Sequence, residues 1–172
     1  MNTLEAIFTR SSTRDYSDKK IDKEIIHTLL QAGMSGPSCV NARDWAFVIV
    51  EEHETLCKMA KANGAPAKPL EKAALAILVC GDLNKAFKGA KDYWIIDASI
   101  ACQNISIACQ ELGLGCVWLG TWPQMERVEA QKQLLDLPDH FIPHSILCIG
   151  YPKKECNRTV RDLYDENCVL WK

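Results

Sequence analysis

A chain of 172 residues suffices for one domain that buries about 68–70% of the surface its unfolded form exposes, and it needs no second core. Its 20 basic and 22 acidic side chains leave a formal net charge of -2, which excludes a whole-surface field able to hold nucleic acid or an anionic membrane nonspecifically. Any anion must be held by a local cluster.

The longest apolar runs, such as Ala73 to Cys80, fall far short of the roughly 18 residues a membrane-spanning helix needs. The N-terminus lacks a charged-then-apolar leader pattern, so the expected location is cytoplasmic. Nine cysteines are odd in number and scattered through the chain, and none are spaced Cys-x-x-Cys. They read as reduced thiols, mostly small core residues.

In chain order, Asn2 to Phe8 places Leu4, Ile7 and Phe8 at helical spacing, with Thr3 available as a cap. The loop TRSSTRDY, Thr9 to Tyr16, follows. From Asp22, the residues Ile25, Ile26, Leu29, Leu30 and Gly33 predict a second helix, ended by GMSGPS. Trp45 to Val50 reads as a buried strand and His53 to Ala62 as a short helix that NGAPAKP breaks. Ala73 to Asp82 is a second buried strand, and the Lys-rich segment Asn84 to Lys91 a loop or lid. The longest helix, Asp92 to Leu112, mixes polar and apolar faces, which predicts contact on most sides. Cys116 to Thr121 gives a third strand, Met125 to Leu134 a helix, and His144 to Gly150 a fourth strand. The tail from Arg161 to Lys172 holds Leu163, Tyr164, Val169, Leu170 and Trp171, too much apolar surface to stay loose in water, so it is expected to dock. Strands and helices mix, with no glycine-rich dinucleotide loop after any strand. The fold class is α+β, one domain over 1–172.

Three segments carry candidate chemistry. Arg10, Ser11, Ser12 and Arg14 put two fork-shaped cations beside hydroxyls, a donor set suited to phosphate; read alone, the segment is more simply a solvated loop pairing with Asp15 or Asp18. In GPSCVNARDW, Pro37, Ser38, Cys39 and Asn41 can present polar groups to a planar heterocycle, or merely link helix to strand. Cys39 as a nucleophile lacks a histidine nearby in sequence. In GLGCVWLGTW, the glycines let a backbone N–H at Leu119, Gly120 or Thr121 approach a ring nitrogen, or serve tight packing alone. Arg158 and Arg161 add charge near the C-terminus. His27, His53, His140 and His144 show no metal-ligand spacing with the cysteines, so no metal is expected. Motifs of hydrolases and kinases do not occur.

Taken in order, RSSTRDY, GPSCVNARDW, WIIDASIACQNISIACQELGLGCVWLG, ILCIGYP and RTVRDLYDENCVLW resemble the nitroreductase family of flavoprotein oxidoreductases, in its short, FMN-dependent form, over nearly the whole chain. The resemblance implies an α+β fold around a mostly antiparallel central sheet flanked by helices. It also implies an intertwined homodimer with two FMN molecules at the subunit interface, the tail reaching across the partner and the long helix packing on its mate.

By position, the resemblance makes Arg10, Ser11 and Ser12 contacts of the FMN phosphate and ribityl chain, completed by Arg161 and Arg158. Arg14 falls at the N1 and O2 edge and is the expected catalytic residue, a cation stabilising the negative charge that two-electron reduction brings there. Pro37, Ser38, Cys39 and Asn41 match the loop laid against the ring of the other subunit, and Leu119 to Thr121 the backbone facing N5 and O4. NADH or NADPH would donate hydride and a small organic acceptor, a nitroaromatic, quinone or similar compound, would take it in a ping-pong scheme. Two alternatives stand beside this: a flavin-binding store or sensor without turnover, and a reductase of the same fold with another substrate, such as a dehalogenase. Arg43-Asp44 stands where the family commonly has Gln-Pro, and the helical insertion covering the site in longer members is missing, which implies an open cleft.

Overall fold

The structure, a computed structural model, describes residues 2–154, 159–160 and 162–172. Its elements run α1 (Thr3–Thr9), α2 (Lys23–Met34), β1 (Trp45–Val50), α3 (His53–Asn63), β2 (Leu75–Asp82), α4 (Tyr93–Glu111), β3 (Gly115–Gly120), α5 (Met125–Leu134) and β4 (Phe141–Gly150). Short 3-10 turns span Cys39–Asn41, Ala65–Lys72 and Glu166–Cys168.

The four strands form one antiparallel sheet in the order β1-β2-β4-β3. The architecture is therefore α+β around an antiparallel sheet flanked by helices, as the sequence predicts. Strand β2, central and apolar at both alternations, is buried along its whole length, because helices cover both faces of the sheet. Leu56, Met59, Leu70, Leu78 and Ile146 fill the core under α3, α5 and the 65–72 turn. Leu29, Ile77, Ala98, Ile105 and Leu147 fill the other, under α2 and α4.

Several expectations shift by a few residues. The cap of α1 is Asn2, whose Oδ1 accepts from the Glu5 N–H at 2.9 Å, not Thr3; both residue types cap well, and the helix starts one residue earlier. Leu4, Ile7 and Phe8, the residues that signalled α1, face outward, and Ala6 and Thr9 face the protein. Strand β4 begins at Phe141 instead of His144. The β2–β4 register slips between Val79 and Cys80, which pair with Ser145 and Pro143, so His144 is the extra residue of a bulge, a place that tolerates the neighbouring proline.

Helix α4 packs against all four strands and against α1 and α2, and only Tyr93, Ile96, Gln103 and Glu111 along it are exposed. Trp94, Ala98, Ala101, Cys102, Ile105 and Cys109 are buried, whereas Ile96 and Gln103 are exposed and Ile100 and Ile107 half-buried. Contact on most sides, as the mixed pattern predicts, therefore holds already in the single chain, apart from a narrow outward strip at Ile96 and Gln103. The tail residues Leu163, Tyr164, Leu170 and Trp171 are likewise exposed, Trp171 at 81%. The eight cysteines among the described residues are unbonded and five of them are buried, which suits small core residues. Among the described residues no group of histidine, cysteine and carboxylate could hold a metal ion, and no helix is long and apolar enough to cross a membrane.

Candidate functional site

The TRSSTRDY loop leaves α1 and runs onto the open edge of β3. Ser12 bridges Cys116, and the Thr13 N–H donates to Cys116 O at 3.0 Å. The loop is locked there by Tyr16, buried, whose hydroxyl donates to Cys148 O at 2.9 Å. Gly115 permits the approach: a Cβ on it would stand 2.5 Å from the Thr13 side chain. This docking brings Arg14 to β3, where it lines a cleft of about 380 Å³ with Asn63, Pro66, Trp118, Leu119, Gly120 and Arg127. Such a volume lies within the usual range for small-molecule sites.

At the far end of β3 the backbone is pinned from outside the sheet. Gly120 O accepts from Asn63 Nδ2 at 3.1 Å and from Arg127 Nη1 at 3.2 Å. Cys116 O and Gly120 O thus both point to the edge. Because backbone groups alternate sides along a strand, the N–H groups of Trp118 and Gly120 face the cleft while Leu119 pairs into the ladder with Ile146. Thr121 has its N–H committed to His144 O at 3.1 Å and its hydroxyl donated to Asn63 Oδ1 at 2.9 Å, fully buried. Gly120 is therefore the backbone donor of this trio that opens on the cleft.

The space in front of Gly120 is vacant of protein: a Cβ there would meet nothing nearer than Trp122 O at 4.0 Å. Neither packing nor a left-handed backbone demands a glycine at this point, so its missing side chain leaves room for something outside the fold. Arg14 donates to Ser12 O at 3.4 Å. Among the described residues no ion pair engages Arg14 or Arg127. A vacant glycine floor, outward N–H donors and uncompensated guanidinium groups form a donor set for an electron-rich, anionic planar ligand.

The second predicted segment does not join this cleft within one chain. Ser38 Oγ accepts from the Arg43 N–H at 2.9 Å, Asn41 Oδ1 from Arg43 Nε at 3.1 Å, and the Cys39 N–H donates to Asp97 Oδ2 of α4 at 2.9 Å. Val40, Asn41 and Arg43 have left-handed backbones, with φ 46, 58 and 51. That conformation is strained for a β-branched residue, yet Val40 is 69% exposed. Pro37 and Asn41 are exposed and Ser38 and Cys39 half-buried, so the loop is a tethered protrusion at the start of α4. Behind it the buried Asp44 carboxyl has no hydrogen-bond partner among the described residues. Burial, then the adjacent Asp97, raises its pKa to about 6. Burial and the same carboxylates push the Cys39 thiol up, which argues against a thiolate nucleophile.

Arg10 is half-buried at the end of α1. Arg158 and Arg161 lie outside the described residues. Asn63, Arg127 and Trp118 went unassigned in the sequence. Asn63 showed only as part of an Asn-Gly helix stop, and Arg127 had no local signal, because both act through contacts 57 and 7 residues away. Trp118 donates from Nε1 to Ser145 Oγ at 2.6 Å and meets His144 edge to face. His144 sits buried between Trp94 and Trp118, its pKa lowered by burial to about 4.

Comparison with known proteins gives the family of the chain. The nitroreductase family profile matches residues 7–80 and 67–151. A Methanothermobacter thermautotrophicus protein assigned the name NADH dehydrogenase/NAD(P)H nitroreductase is 41% identical over 169 residues, covering 98% of this chain and 86% of its own. The FMN reductase [NAD(P)H] of Bacillus subtilis is 28% identical over 168 residues, covering 87% of this chain and 65% of its own. Among solved structures, an FMN-dependent nitroreductase from Clostridium difficile superposes with a TM-score of 0.87 at 27% identity, covering 98% of both chains.

Proposed function

Because the chain belongs to the nitroreductase family, we propose that it is an FMN-dependent oxidoreductase passing electrons from NAD(P)H to a small organic acceptor in the cleft between the Ser11–Arg14 loop and β3. The observation that carries this is the open space at Gly120, faced by outward N–H groups and by the Arg14 guanidinium, which no ion pair engages among the described residues. FMN bound there would supply the ring that accepts hydride from the nicotinamide and releases it to a nitroaromatic, quinone or similar acceptor.

The protein's own residues bind, orient and polarise. Arg10, Ser11 and Ser12 hold the phosphate and ribityl end, with Arg158 and Arg161 joining from beyond the described residues. Arg14 keeps a fixed positive charge at the N1 and O2 edge, the role that makes it the catalytic residue. Gly120 N–H is the donor toward N5 and O4. Among the described residues no carboxylate, histidine or thiol lines the cleft, which suits direct hydride transfer between stacked rings with no protein acid or base.

The reading takes residues 1–172 as one FMN-binding domain that works as an intertwined homodimer in the cytoplasm. What supports the dimer is unspent apolar surface: the outer stripe of α4 at Ile96, Ile100 and Ile107, the outer face of α1 at Leu4, Ile7 and Phe8, and the tail. The strained, tethered loop bearing Pro37, Ser38, Cys39 and Asn41 is then offered to the partner's ring. The test is anaerobic addition of NADH or NADPH to the FMN-loaded protein, followed by a nitroaromatic or quinone. Bleaching of the oxidised flavin absorbance with recovery on adding acceptor is expected; a flavin that neither nucleotide bleaches would leave a storage or sensor protein instead.

A further inference from the structure

The cleft holds one cation more than FMN uses. Along β3, Cys116 meets the Ser12 end and Gly120 meets Arg127; four residues at about 3.3 Å each put these ends about 13 Å apart. On the FMN reading above, the phosphate end belongs to Ser12 and Arg10 and the ring edge to Arg14, which leaves Arg127 at the opposite end.

Arg127 is placed by backbone contacts and, among the described residues, has no ion pair. Its Nη1 donates to Gly120 O at 3.2 Å, and its Nη2 lies over Gly64, where a Cβ would stand 3.7 Å away. Gly64, with φ 83, closes α3 at this point. The one bond to Gly120 leaves four of the five guanidinium N–H donors for other groups. Arg127 is also the third residue of α5, where the positive end of the helix disfavours a cation. The Gly120 carbonyl and the C-terminal end of α3 favour the charge, no ion pair neutralises it among the described residues, and an anion arriving in the cleft would do so.

We propose that Arg127 binds an oxyanion, a carboxylate or a phosphate, carried by the substrate that enters the cleft at the end of the site away from Ser12. The proposal rests on the FMN reading. An aromatic carboxylate used as acceptor and the phosphates of the nicotinamide donor share this chemistry.

The experiment compares FMN-loaded wild type with Arg127→Gln, which keeps a donor for Gly120 O but not the charge, and Arg127→Lys, which keeps the charge. One arm measures calorimetric Kd for 4-nitrobenzoate against 4-nitrobenzamide. The other measures KM for NADPH and NADH against a phosphate-free N-benzyl dihydronicotinamide. Arg127→Gln is expected to weaken the anionic member of one pair about tenfold or more relative to its neutral counterpart, with Arg127→Lys recovering part of the loss. Loss in the first arm assigns the anion to the acceptor and in the second to the donor. Unchanged ratios in both arms overturn the proposal, as does an Arg127→Gln protein that loses its FMN, since Arg127 would then belong to the flavin site. A wild-type protein that holds no FMN overturns the underlying reading and the proposal with it.

Discussion

Thr121 Oγ1 donates to Asn63 Oδ1 at 2.9 Å while Asn63 Nδ2 donates to Gly120 O at 3.1 Å, so one buried amide joins the end of α3 to the end of β3. Asn63→Ala leaves the Thr121 hydroxyl buried without its acceptor, and stability should fall by about 1–3 kcal/mol in urea denaturation. A double-mutant cycle with Thr121→Val should show coupling of about 0.5 kcal/mol or more. Additive losses would mean that the two side chains do not act together.

Gly120 gives a sharper separation of fold from function. A methyl group there meets open space, so Gly120→Ala should leave the protein without ligand as stable or slightly more so, by about 0.4–1 kcal/mol, through the restricted unfolded chain. The same methyl would enter the flavin's space, and FMN affinity should drop about tenfold or more. Thermal melts without flavin and FMN titrations read the two effects. A variant that binds FMN as well as wild type removes Gly120 from the site.

Asp44 and His144 predict opposing pH dependences. Asp44 is raised from 3.8 to about 6, chiefly by burial, so the folded state keeps a proton that the unfolded chain has released. Its contribution is complete below pH 3.8 and lost as pH rises through about 6. His144 is lowered from 6.5 to about 4 by burial, so its contribution is present above pH 6.5 and lost as pH falls through about 4. Relative to wild type, Asp44→Asn should lose stability more steeply on acidification between about pH 6 and 4, and should be more stable at pH 7. His144→Gln should shift the slope the other way. Urea midpoints across pH 4 to 7 check both (the window set by the two groups), and equal slopes in the two variants would contradict these assignments.

The tail offers a test of assembly. With Leu163, Tyr164, Leu170 and Trp171 exposed in the single chain, the full chain should sediment as the proposed dimer, and deletion of residues 162–172 should shift it toward monomer in sedimentation equilibrium. An unchanged dimer would place the interface elsewhere.

Much of the architecture was legible because each element carried its own period. Ile25, Ile26, Leu29 and Leu30 mark α2 by helical spacing, and the apolar run to Cys80 marks β2 as a doubly covered strand. Errors fell where two local rules compete. NGAPAKP ends α3 at Asn63, as predicted, but the 3-10 turn over Ala65–Lys72 that follows carries no separate signal, although Pro66 suits its first turn. Pro143 hid the first residues of β4 because the bulge that accommodates it depends on β2. The donor loop and the β3 edge were legible as motifs. Asn63 and Arg127 were not, since each becomes part of the cleft only when α3, β3 and α5 meet.

The claim on which the rest depends is that the edge of β3 and the Arg14 loop form a flavin cradle, and titration of the purified protein with FMN, followed by absorbance and fluorescence quenching, tests it most directly. The account predicts saturation at about one FMN per chain, the ratio that two flavins in a homodimer require, with weaker binding in Gly120→Ala. A colourless protein whose FMN fluorescence stays unquenched at saturating concentrations would contradict it.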